Sequence, residues 1–402
     1  MSLAAAPHVF LVAGEDSGDR LGAALIAAIK RRSPGARFSG VGGAQMAGQG
    51  LASLFPLGDL AIIGFAAIPA GLPKIIKRIR DTADAVVAAK PDVLVIIDSP
   101  EFTHRVARRV RSRAPAIPIV DYVCPSVWAW RPGRARAMRA YVDHVLALLP
   151  FEPAVLRRLS GPACTFVGHP LSERAAHLRP NTEEARRRLA DPPLLLVLPG
   201  SRASEIRRMA GVFGEAVALA AKRVGALEVV VPSVPRLADM VKAAVASWPI
   251  AARVVTEPGE KDAAFRNARA ALTKSGTSTL ELAVAGVPMV AAYKVPLLEE
   301  MVVRWLVTIQ NIILANLVLG ENIVPQILQR DCTPESLAAA LVPLLADTPE
   351  RRGQVEAFAR LVSIMEIGRA APSDRAATVV LDCAIRLNQP PREAIVSARP
   401  TG

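Results

Sequence analysis

The chain alternates short apolar runs with segments whose apolar residues recur every three or four positions. Six runs fall between residues 8 and 168, with the sequences HVFLVA, RFSGVG, DVLVIID, IPIVDYV, HVLALL and CTFVG. Continuous Val, Ile and Leu runs of this length predict strands buried on both faces of a parallel sheet. The segments LPKIIKRIRDTADAVVAAK and HRVARRVRSRA have the period expected of the crossover helices between such strands.

After the polar stretch RPNTEEARRRLADPP the pattern restarts with LLLVLPG, LEVVVPS, ARVVT, ALTKS and PMVAAYK. The sequence therefore predicts an α/β protein of two doubly wound parallel-sheet units, 1–168 and 194–330, joined by a linker at 169–193. Three helical segments in 331–390 complete or bridge the units, and 391–402 is a loose tail. Two such sheets facing each other leave a cleft at the carboxyl ends of their strands, where a ligand site is expected.

Composition favours a globular protein without a membrane-spanning segment. Hydrophobic residues make up 51% and charged residues 21% of the 402 positions, and the mean hydropathy is +0.31. No stretch reaches the roughly 18 consecutive apolar residues of a transmembrane helix. The N-terminal MSLAAAPHVF has no basic residue before its apolar run, which disfavours a cleaved signal peptide. A cytoplasmic protein is expected.

Positive charge is concentrated in the first half of the chain. The formal net charge is +13, and residues 1–180 hold 23 Lys and Arg against 13 Asp and Glu. Such a field attracts nucleic acid, an anionic membrane surface or an anionic substrate. Aromatic residues, at 4%, supply few base-stacking platforms, so no nucleic-acid partner is expected. The four cysteines form no C-x-x-C pair, so neither a metal site nor a disulfide framework is predicted.

The loop VLPGSRASEI in the second unit has the composition of an anion-binding turn. Gly200 allows close approach of a ligand to the backbone, while Ser201 and Arg202 precede a predicted helix. Free N–H groups, the helix dipole and a guanidinium all favour a phosphate at such a turn. The alternative is a Pro-Gly turn followed by a solvated arginine.

A second loop of this kind is TKSGTSTLELA. Ser275, Gly276 and Thr277 offer backbone and hydroxyl donors before a helix that carries Glu281, a carboxylate suited to accept hydrogen bonds from a ribose diol. The alternative is an N-capped helix with a favourable early acid. Neither loop fits G-x-x-x-x-G-K-[ST], and GVGGAQMAG lacks the G-x-G-x-x-G spacing, so P-loop phosphotransfer and dinucleotide oxidoreduction are not supported.

Two motifs in the first unit carry candidate chemistry. In VIIDSPEF, Asp98 stands at the end of a buried strand, where a carboxylate can act as the general base for a hydroxyl. The alternative is that Asp98 caps the helix that follows. In CPSVWAWRPGRARAMR, Trp128 and Trp130 stand beside an arginine cluster that starts at Arg131. This combination suits an amphiphile that carries a phosphate, and the alternative is a solvated basic helix.

The stretch LAIIGFAAIPAGLPKIIKRIRD, residues 60–81, is predicted to face a membrane. It combines an apolar part with a helix that has basic residues on one face, a pattern that can lie in an anionic bilayer interface. The membrane-facing residues of this prediction are Ile62, Ile63, Phe65, Ile68, Lys74, Lys77 and Arg78. The alternative for Ile75, Ile76 and Ile79 is a place in the core.

The segments AGEDSGDRLGAALI, CPSVWAW, VLPGSR, FVGHP and SGTSTLELA together resemble those of the lipid-A-disaccharide synthase family, glycosyltransferases of bacteria with an outer membrane. The resemblance runs from about residue 8 to 385, with the motifs in the same order. It implies the GT-B architecture of two facing Rossmann-like domains. It also implies an inverting transfer from UDP-2,3-diacylglucosamine to 2,3-diacylglucosamine 1-phosphate (lipid X), which gives a β-1,6-linked disaccharide 1-phosphate and UDP.

The resemblance also implies roles for matching residues. Asp98 activates the acceptor hydroxyl, and Arg202 with the rest of the 200–202 turn steadies the leaving UDP. The residues implied to bind the diphosphate and ribose are Ser275, Gly276, Thr277, Glu281 and Asn316 of LANLVLG. Fixed dipoles and arginine stabilise the leaving group, so neither a metal nor another cofactor is expected.

The loop GEDSGD, residues 14–19, has the outline of a phosphate cradle, yet its carboxylates would repel a phosphate. Since it belongs to the acceptor-side unit, it is interpreted as the polar floor of the acceptor site. The acceptor-binding residues of this prediction are Glu15, Ser17, Asp19, Trp128 and Arg131. Asp16 falls at a position that the family varies and is predicted to be dispensable.

Two departures from the family pattern are Ala315, where proline is common, and Lys274, where a small residue is common. The second puts a cation beside the nucleotide loop. An acylated, phosphorylated acceptor implies peripheral association with the inner face of the inner membrane, and the oligomeric state is left open. The rival functions are another GT-B enzyme for a UDP-sugar, such as a soluble glycosyltransferase or an epimerase, and a non-catalytic membrane-surface binding protein.

Overall fold

A computed structural model describes most of the chain. The described residues are 6–60, 68–295, 311 and 313–386. The chain divides into two compact units, of which the first comprises Met1–Gly168 with Ala370–Gly402 and the second comprises His169–Arg369.

The first unit contains a parallel sheet of six strands. The strands are β1 (His8–Ala13), β2 (Arg37–Val41), β3 (Val93–Ile97), β4 (Ile119–Tyr122), β5 (His144–Ala147) and β6 (Ala163–Phe166). They lie in the order β2-β1-β3-β4-β5-β6. The helices between them are α1 (Asp16–Arg32), α2 (Ala44–Gly48), α3 (Ile68–Ala89), α4 (Pro100–Arg113), α5 (Gly133–Met138) and α6 (Glu152–Arg158).

The apolar strands are explained by burial on both faces of this sheet. In β1, Phe10 and Val12 belong to one hydrophobic cluster, while Val9, Leu11 and Ala13 belong to the other. Because successive side chains of a strand point to opposite faces, a sheet covered by helices on both sides needs an apolar residue at every position. This is why the run HVFLVA shows no alternation with polar residues.

The second unit repeats the arrangement. Its strands are β7 (Leu194–Leu198), β8 (Glu228–Pro232), β9 (Arg253–Val255), β10 (Ala270–Lys274), β11 (Met289–Tyr293) and β12 (Gln326–Leu328), in the order β12-β11-β10-β7-β8-β9. Its helices are α7 (Leu171–Leu178), α8 (Thr182–Arg187), α9 (Ala203–Val224), α10 (Ala238–Ala246), α11 (Pro258–Asn267), α12 (Ser278–Ala285), α13 (Leu314–Leu319), α14 (Pro334–Leu345) and α15 (Pro349–Ile364). All described strand pairs in both sheets are parallel, which confirms the prediction of two doubly wound units.

The three helices predicted beyond residue 330 are present, and they do not all join the same unit. Helix α14 packs on α9, and α15 packs on α12 and α13. The last helix, α16 (Pro372–Arg386), returns to the first unit and packs on α1. There Ala376, Ala377 and Val380 enter the core that contains β1, and Asp374 pairs with Arg31 at 2.8 Å.

The strand orders decide where the candidate site residues meet. In the first sheet β1 has β2 on one side and β3 on the other, and in the second sheet β7 has β8 and β10. The connections leave these neighbouring strands in opposite directions, which opens a crevice at their carboxyl ends where ligands bind in folds of this kind. The loops after β1 and β3, and those after β7 and β10, are therefore brought together within their own units.

Candidate active site

The first group of site residues lies where β1 and β3 end side by side. Ser17, in the first turn of α1, donates from Oγ to Oδ2 of Asp98 over 3.0 Å. The N–H of Ser99 donates to Oδ1 of Asp98 over 2.8 Å. Both Ser17 and Asp98 are half-buried, so the carboxylate has two donors yet keeps access to solvent. The structure thus brings together two predicted site residues 81 positions apart.

The turn that carries Asp98 is strained. Asp98 has φ of +54° and Ser99 has φ of +45°, and left-handed conformations of non-glycine residues cost about 1–3 kcal/mol each. The Oγ1 of Thr103 donates to the carbonyl of Asp98 over 2.6 Å and so holds the turn. A Cβ on Gly14 would lie 2.2 Å from the Cβ of Ser99, so only glycine fits where the first loop passes this turn. Strain held in this way is typical of functional sites.

The acidic residues of the GEDSGD loop have different environments. Glu15 and Asp16 are exposed, whereas Asp19 is buried, with 4% of its surface exposed. The carboxylate of Asp19 accepts from the N–H groups of Gly43 (2.7 Å), Gln45 (2.9 Å) and Met46 (3.0 Å) at the start of α2. These bonds occupy both carboxylate oxygens and join α1 to α2. The contact with the acceptor that was predicted for Asp19 stays a prediction.

Trp128, predicted to bind the acceptor, is half-buried and anchored at its polar end. Its Nε1 donates to Oε1 of Glu152 over 3.2 Å, and its ring meets that of Phe151 edge to face at 5.5 Å. Glu152 also accepts from the N–H of Leu149 over 2.9 Å and is 3% exposed. Burial raises the pKa of Glu152 to about 7, and these two hydrogen bonds only partly oppose that rise. Glu152 was not predicted from the sequence.

Arg131 is exposed and belongs to an aromatic and basic group whose other members, Trp130 and Arg134, are half-buried. Its guanidinium lies 4.5 Å from the ring centre of Trp130, and that of Arg134 lies 5.9 Å from the same ring. Arg134 also donates to Oε1 of Glu101 over 2.6 Å, which ties the group to α4 just after the Asp98 turn. The Arg134 hydrogen bond outweighs burial and holds the pKa of Glu101 below its usual value. The aromatic partner of Arg131 is therefore Trp130, and Trp128 is directed towards Glu152.

The second group of site residues lines a cavity of about 530 Å³ at the carboxyl ends of β7, β8 and β10. That volume lies within the range of about 300–1,000 Å³ that is usual for ligand sites. The predicted residues on its wall are Gly200, Ser201, Arg202, Gly276, Thr277 and Glu281. Ser275 is buried instead, with its N–H bonded to the carbonyl of Ala292 at 2.9 Å. A larger groove of about 660 Å³ beside Trp248 has Lys242 as the one charged residue on its described wall, so the chemistry favours the smaller cavity.

Glu205, which the sequence analysis did not assign to the site, organises the first turn of this cavity. Its Oε2 accepts from the N–H groups of Ser201 (2.9 Å) and Arg202 (3.3 Å), and its Oε1 lies 3.0 Å from Nζ of Lys274. Gly200 has φ of +136°, and a Cβ there would lie 2.5 Å from the Cβ of Glu205. Burial alone would raise the pKa of Glu205, but the hydrogen bond and charge of Lys274 together with the Ser201 N–H hold it below its usual value.

These contacts correct one expectation. The N–H groups of Ser201 and Arg202 were expected to be free for an anion, whereas the Glu205 carboxylate occupies both. The guanidinium of Arg202 is three-quarters exposed and remains on the cavity wall. Glu205 stands three residues after the N-cap Arg202 and accepts its N–H, as the glutamate of a capping box does, although an arginine N-cap cannot supply the other half of that motif.

Glu281 is paired with an arginine that was not predicted. Arg174 of α7 donates to Oε1 of Glu281 over 3.2 Å and to Oδ1 of Asp262 over 3.1 Å. All three side chains line the cavity. A ribose diol that binds Glu281 therefore has to share its carboxylate with Arg174 or displace the Arg174 guanidinium from it.

Asn316 has a structural role in this geometry. Its Oδ1 accepts from the N–H groups of Val324 (2.9 Å) and Ile323 (3.2 Å), and its Nδ2 donates to the carbonyl of Val324 (3.0 Å). It is 2% exposed and absent from the wall of the cavity. Asn316 therefore supports the loop that contains Ile323 and Val324, and its predicted contact with the nucleotide stays a prediction.

The segment predicted to face a membrane is only partly described. Ile62, Ile63 and Phe65 lie outside the described residues, and α3 is described from its start at Ile68, whose side chain is not.

Within α3 the basic residues form ion pairs with nearby acids, and two of the isoleucines at positions 75, 76 and 79 pack in the core. Lys74 and Arg78 both bind Asp59, at 2.7 and 2.5 Å, and Lys77 pairs with Asp81 at 2.8 Å. Of the three isoleucines, two take the alternative place in the core, since Ile79 is buried and Ile75 packs beside it, while Ile76 is 39% exposed.

No helix among the described residues is long and apolar enough to cross a membrane. The part of the chain that the structure describes also holds no cluster of three or more His, Cys, Asp or Glu suited to a metal ion.

A family model described as lipid-A-disaccharide synthetase matches residues 9–376. The lipid-A-disaccharide synthase of Nitrobacter hamburgensis is 60% identical over 376 residues, which are 93% of this chain and 95% of that protein. That of Nitrobacter winogradskyi is 59% identical over 375 residues, with the same coverage of both chains.

Similar solved structures include the glycotransferase of kitacinnamycin, with a TM-score of 0.62, and MurG of Acinetobacter baumannii, with 0.55. Each is 17% identical and covers 94% of this chain, which covers 99% of each. At that identity the likeness concerns the fold alone, and it confirms the predicted GT-B fold.

Proposed function

The chain belongs to the lipid-A-disaccharide synthase family, and on that premise we propose that it transfers the 2,3-diacylglucosamine unit of a UDP derivative to the 6-hydroxyl of 2,3-diacylglucosamine 1-phosphate, lipid X. The products are the β-1,6-linked lipid A disaccharide 1-phosphate and UDP, so the enzyme is a hexosyltransferase. The observation that carries this function is the 60% identity over 93% of the chain, which spans both units.

Asp98 is the proposed general base. Its carboxylate removes the proton of the acceptor 6-hydroxyl while the oxygen attacks the anomeric carbon of the donor. The bond from that carbon to the diphosphate breaks, and UDP leaves with the electron pair. A single displacement of this kind inverts the anomeric carbon without an enzyme-bound sugar. The hydrogen bonds from Ser17 and Ser99 support this role because they orient the carboxylate.

The cavity of the second unit is the proposed site of the UDP moiety. Arg202 supplies a charged donor to the diphosphate, and the start of α12 after Gly276 and Thr277 adds backbone N–H groups and a favourable dipole. These fixed groups stabilise the negative charge that develops on the leaving UDP. Glu281 is the proposed partner of the ribose hydroxyls.

A transferase assay with UDP-2,3-diacylglucosamine and lipid X, run beside UDP-N-acetylglucosamine, tests the function. Formation of the acylated disaccharide is expected, and a preference for the unacylated donor would favour a soluble UDP-sugar enzyme. Stabilisation of the protein against heat by UDP is also expected. Its absence would favour a non-catalytic membrane-surface protein.

Asp98→Asn tests the base. Turnover is expected to fall roughly 10²–10⁴-fold, the usual contribution of general base catalysis. The matched control is Asp16→Asn, which changes an exposed acid in the first turn of α1. Near-normal turnover in a folded Asp98→Asn protein would remove Asp98 from this role.

The enzyme is proposed to act at the inner face of the inner membrane as a peripheral protein. Leu72 and Ile76, one turn apart on α3, are 42% and 39% exposed, and Lys77 beside them is 69% exposed at its side chain. Both proposed substrates carry acyl chains, and the basic first half of the chain favours an anionic surface.

Vesicle flotation tests this association. Binding to phosphatidylglycerol vesicles is expected to exceed binding to phosphatidylcholine vesicles and to weaken with salt. Replacement of Leu72 and Ile76 by serine is expected to reduce it, whereas the control Leu189→Ser, which changes a 66% exposed leucine of the second unit, is not. Protein that stays unbound at low salt with anionic vesicles would contradict the proposal.

A further inference from the structure

Lys274 is a partly buried cation on the wall of the second-unit cavity. It is the last residue of β10, and its side chain is 15% exposed. Its Nζ lies 3.0 Å from Oε1 of Glu205 and 4.6 Å from the ring centre of Tyr293. A Cβ on Gly276 would lie 3.6 Å from the same Nζ. The ammonium group is therefore held from two sides against the turn that begins α12.

The charges around this group do not balance. One carboxylate, that of Glu205, faces both Lys274 at 3.0 Å and the guanidinium of Arg202 at 3.3 Å. The same carboxylate accepts two backbone N–H groups. Two cations and one acid leave one positive charge in excess at the cavity wall, in addition to the dipole of the α12 start. A group this rich in donors and cations is suited to an anion that carries more than one charge.

We propose that Lys274 is a donor-binding residue whose ammonium group binds a phosphate oxygen of the UDP moiety beside Arg202. The inference rests on the proposed function and adds to it a second cation beside Arg202. Glu205 then has two tasks, since it shapes the 200–202 turn and holds Lys274 in place until the diphosphate arrives. Tyr293 limits the directions that the lysine stem can take.

A purely structural ion pair is the competing explanation. In that case Lys274 only neutralises Glu205 and keeps the 200–202 turn in shape. Loss of the turn would weaken binding of every part of the nucleotide, whereas loss of a phosphate contact weakens only ligands that carry the phosphate. Uridine, UMP and UDP therefore separate the two explanations.

The experiment measures binding of these three ligands to the full chain by calorimetry or competition. For Lys274→Gln and Lys274→Met the Kd of UDP is expected to rise about 10- to 100-fold, the range for loss of a hydrogen bond to a charged group. The Kd of uridine is expected to stay unchanged. Lys274→Gln keeps a donor for Glu205 and so serves if Lys274→Met does not fold. Lys274→Arg is expected to restore part of the affinity for UDP.

The salt dependence and a matched variant complete the test. The affinity of wild type for UDP is expected to fall more steeply with salt than that of Lys274→Gln, because one cation contact is missing in the variant. The control Lys242→Met removes an exposed lysine of α10 and is expected to bind UDP like wild type.

Two results would overturn the inference alone, provided that wild type forms the disaccharide. One is an unchanged Kd of UDP in the Lys274 variants, and the other is an equal loss of affinity for uridine and UDP. A wild-type protein that does not bind UDP would overturn the proposed function together with the inference.

Discussion

Glu152 is expected to make the stability of the protein depend on pH in the neutral range. The residue is 3% exposed, its carboxyl group is bonded to Trp128 and Leu149, and burial raises its pKa to about 7 from an ordinary value of 4.5. As pH rises above 4.5 the unfolded chain loses this proton, while the folded protein keeps it up to about pH 7. The folded state is therefore penalised progressively between these values and fully above them.

The size of the penalty follows from the two pKa values. A pKa of about 7 rather than 4.5 corresponds to about 3 kcal/mol of folding free energy at pH 8. Glu152→Gln removes the ionisation. The free energy of unfolding of the variant relative to wild type is therefore expected to increase by up to about 3 kcal/mol between pH 5 and pH 8. Constant effects of the substitution, such as an altered hydrogen bond to Trp128, cancel in this difference.

Two measurements check the reasoning. Urea unfolding of both proteins at pH 5 and pH 8 gives the difference in free energy. The indole N–H resonance of Trp128 in ¹⁵N-tryptophan-labelled protein reports the ionisation itself, since that nitrogen lies 3.2 Å from the carboxylate. With four tryptophans in the chain, Trp128→Phe identifies the signal. A Trp128 resonance that titrates near 4.5, or a free-energy difference that does not change with pH, would refute the account of Glu152.

Three substitutions at the loops have contrasting expected outcomes. Asp19→Ala leaves three backbone N–H groups of the α2 start without their acceptor and is expected to destabilise the protein by about 2–4 kcal/mol in urea unfolding. Asp16→Ala in the same helix turn removes an exposed acid and is expected to keep stability and transferase turnover. A large loss of turnover would contradict the prediction that Asp16 is dispensable. Gly200→Ala is expected to weaken UDP binding at least tenfold in calorimetry, because its Cβ would meet Glu205 at 2.5 Å and displace the turn. Unchanged UDP affinity would show that the turn adapts.

The strands were predictable because their signal is local. Strands such as β1, β3, β7 and β8 consist largely of apolar runs, and burial on both sheet faces produces such runs. The twelfth, Gln326–Leu328, was missed because its three residues are half-buried and form no run. The position of Asp98 at the end of a buried strand was also predictable, whereas its place beside the GEDSGD loop depends on the pairing of β1 with β3, which the sequence pattern does not give.

Side-chain partners were not predictable where they depend on distant segments. The local sequence predicts an ordinary loop carboxylate at Asp19. No residue near Asp19 in the chain indicates that N–H groups of residues 43–46 bind both its oxygens. Arg174 likewise meets Asp262 and Glu281 only after the second unit has folded. Glu205 differs, because its partners, the N–H groups of Ser201 and Arg202, lie only three and four residues before it in the chain.

The return of α16 to the first unit has a consequence for synthesis. The core around β1 needs Ala376, Ala377 and Val380, so it stays open until nearly the whole described chain has left the ribosome. The second unit, by contrast, is a continuous stretch of the chain and can complete its own core earlier. The first unit, whose strand β1 comes first in the chain, is therefore completed only after the chain of the second unit has been made. Until α16 arrives, the surface of α1 that it covers is exposed to other nascent chains and to chaperones.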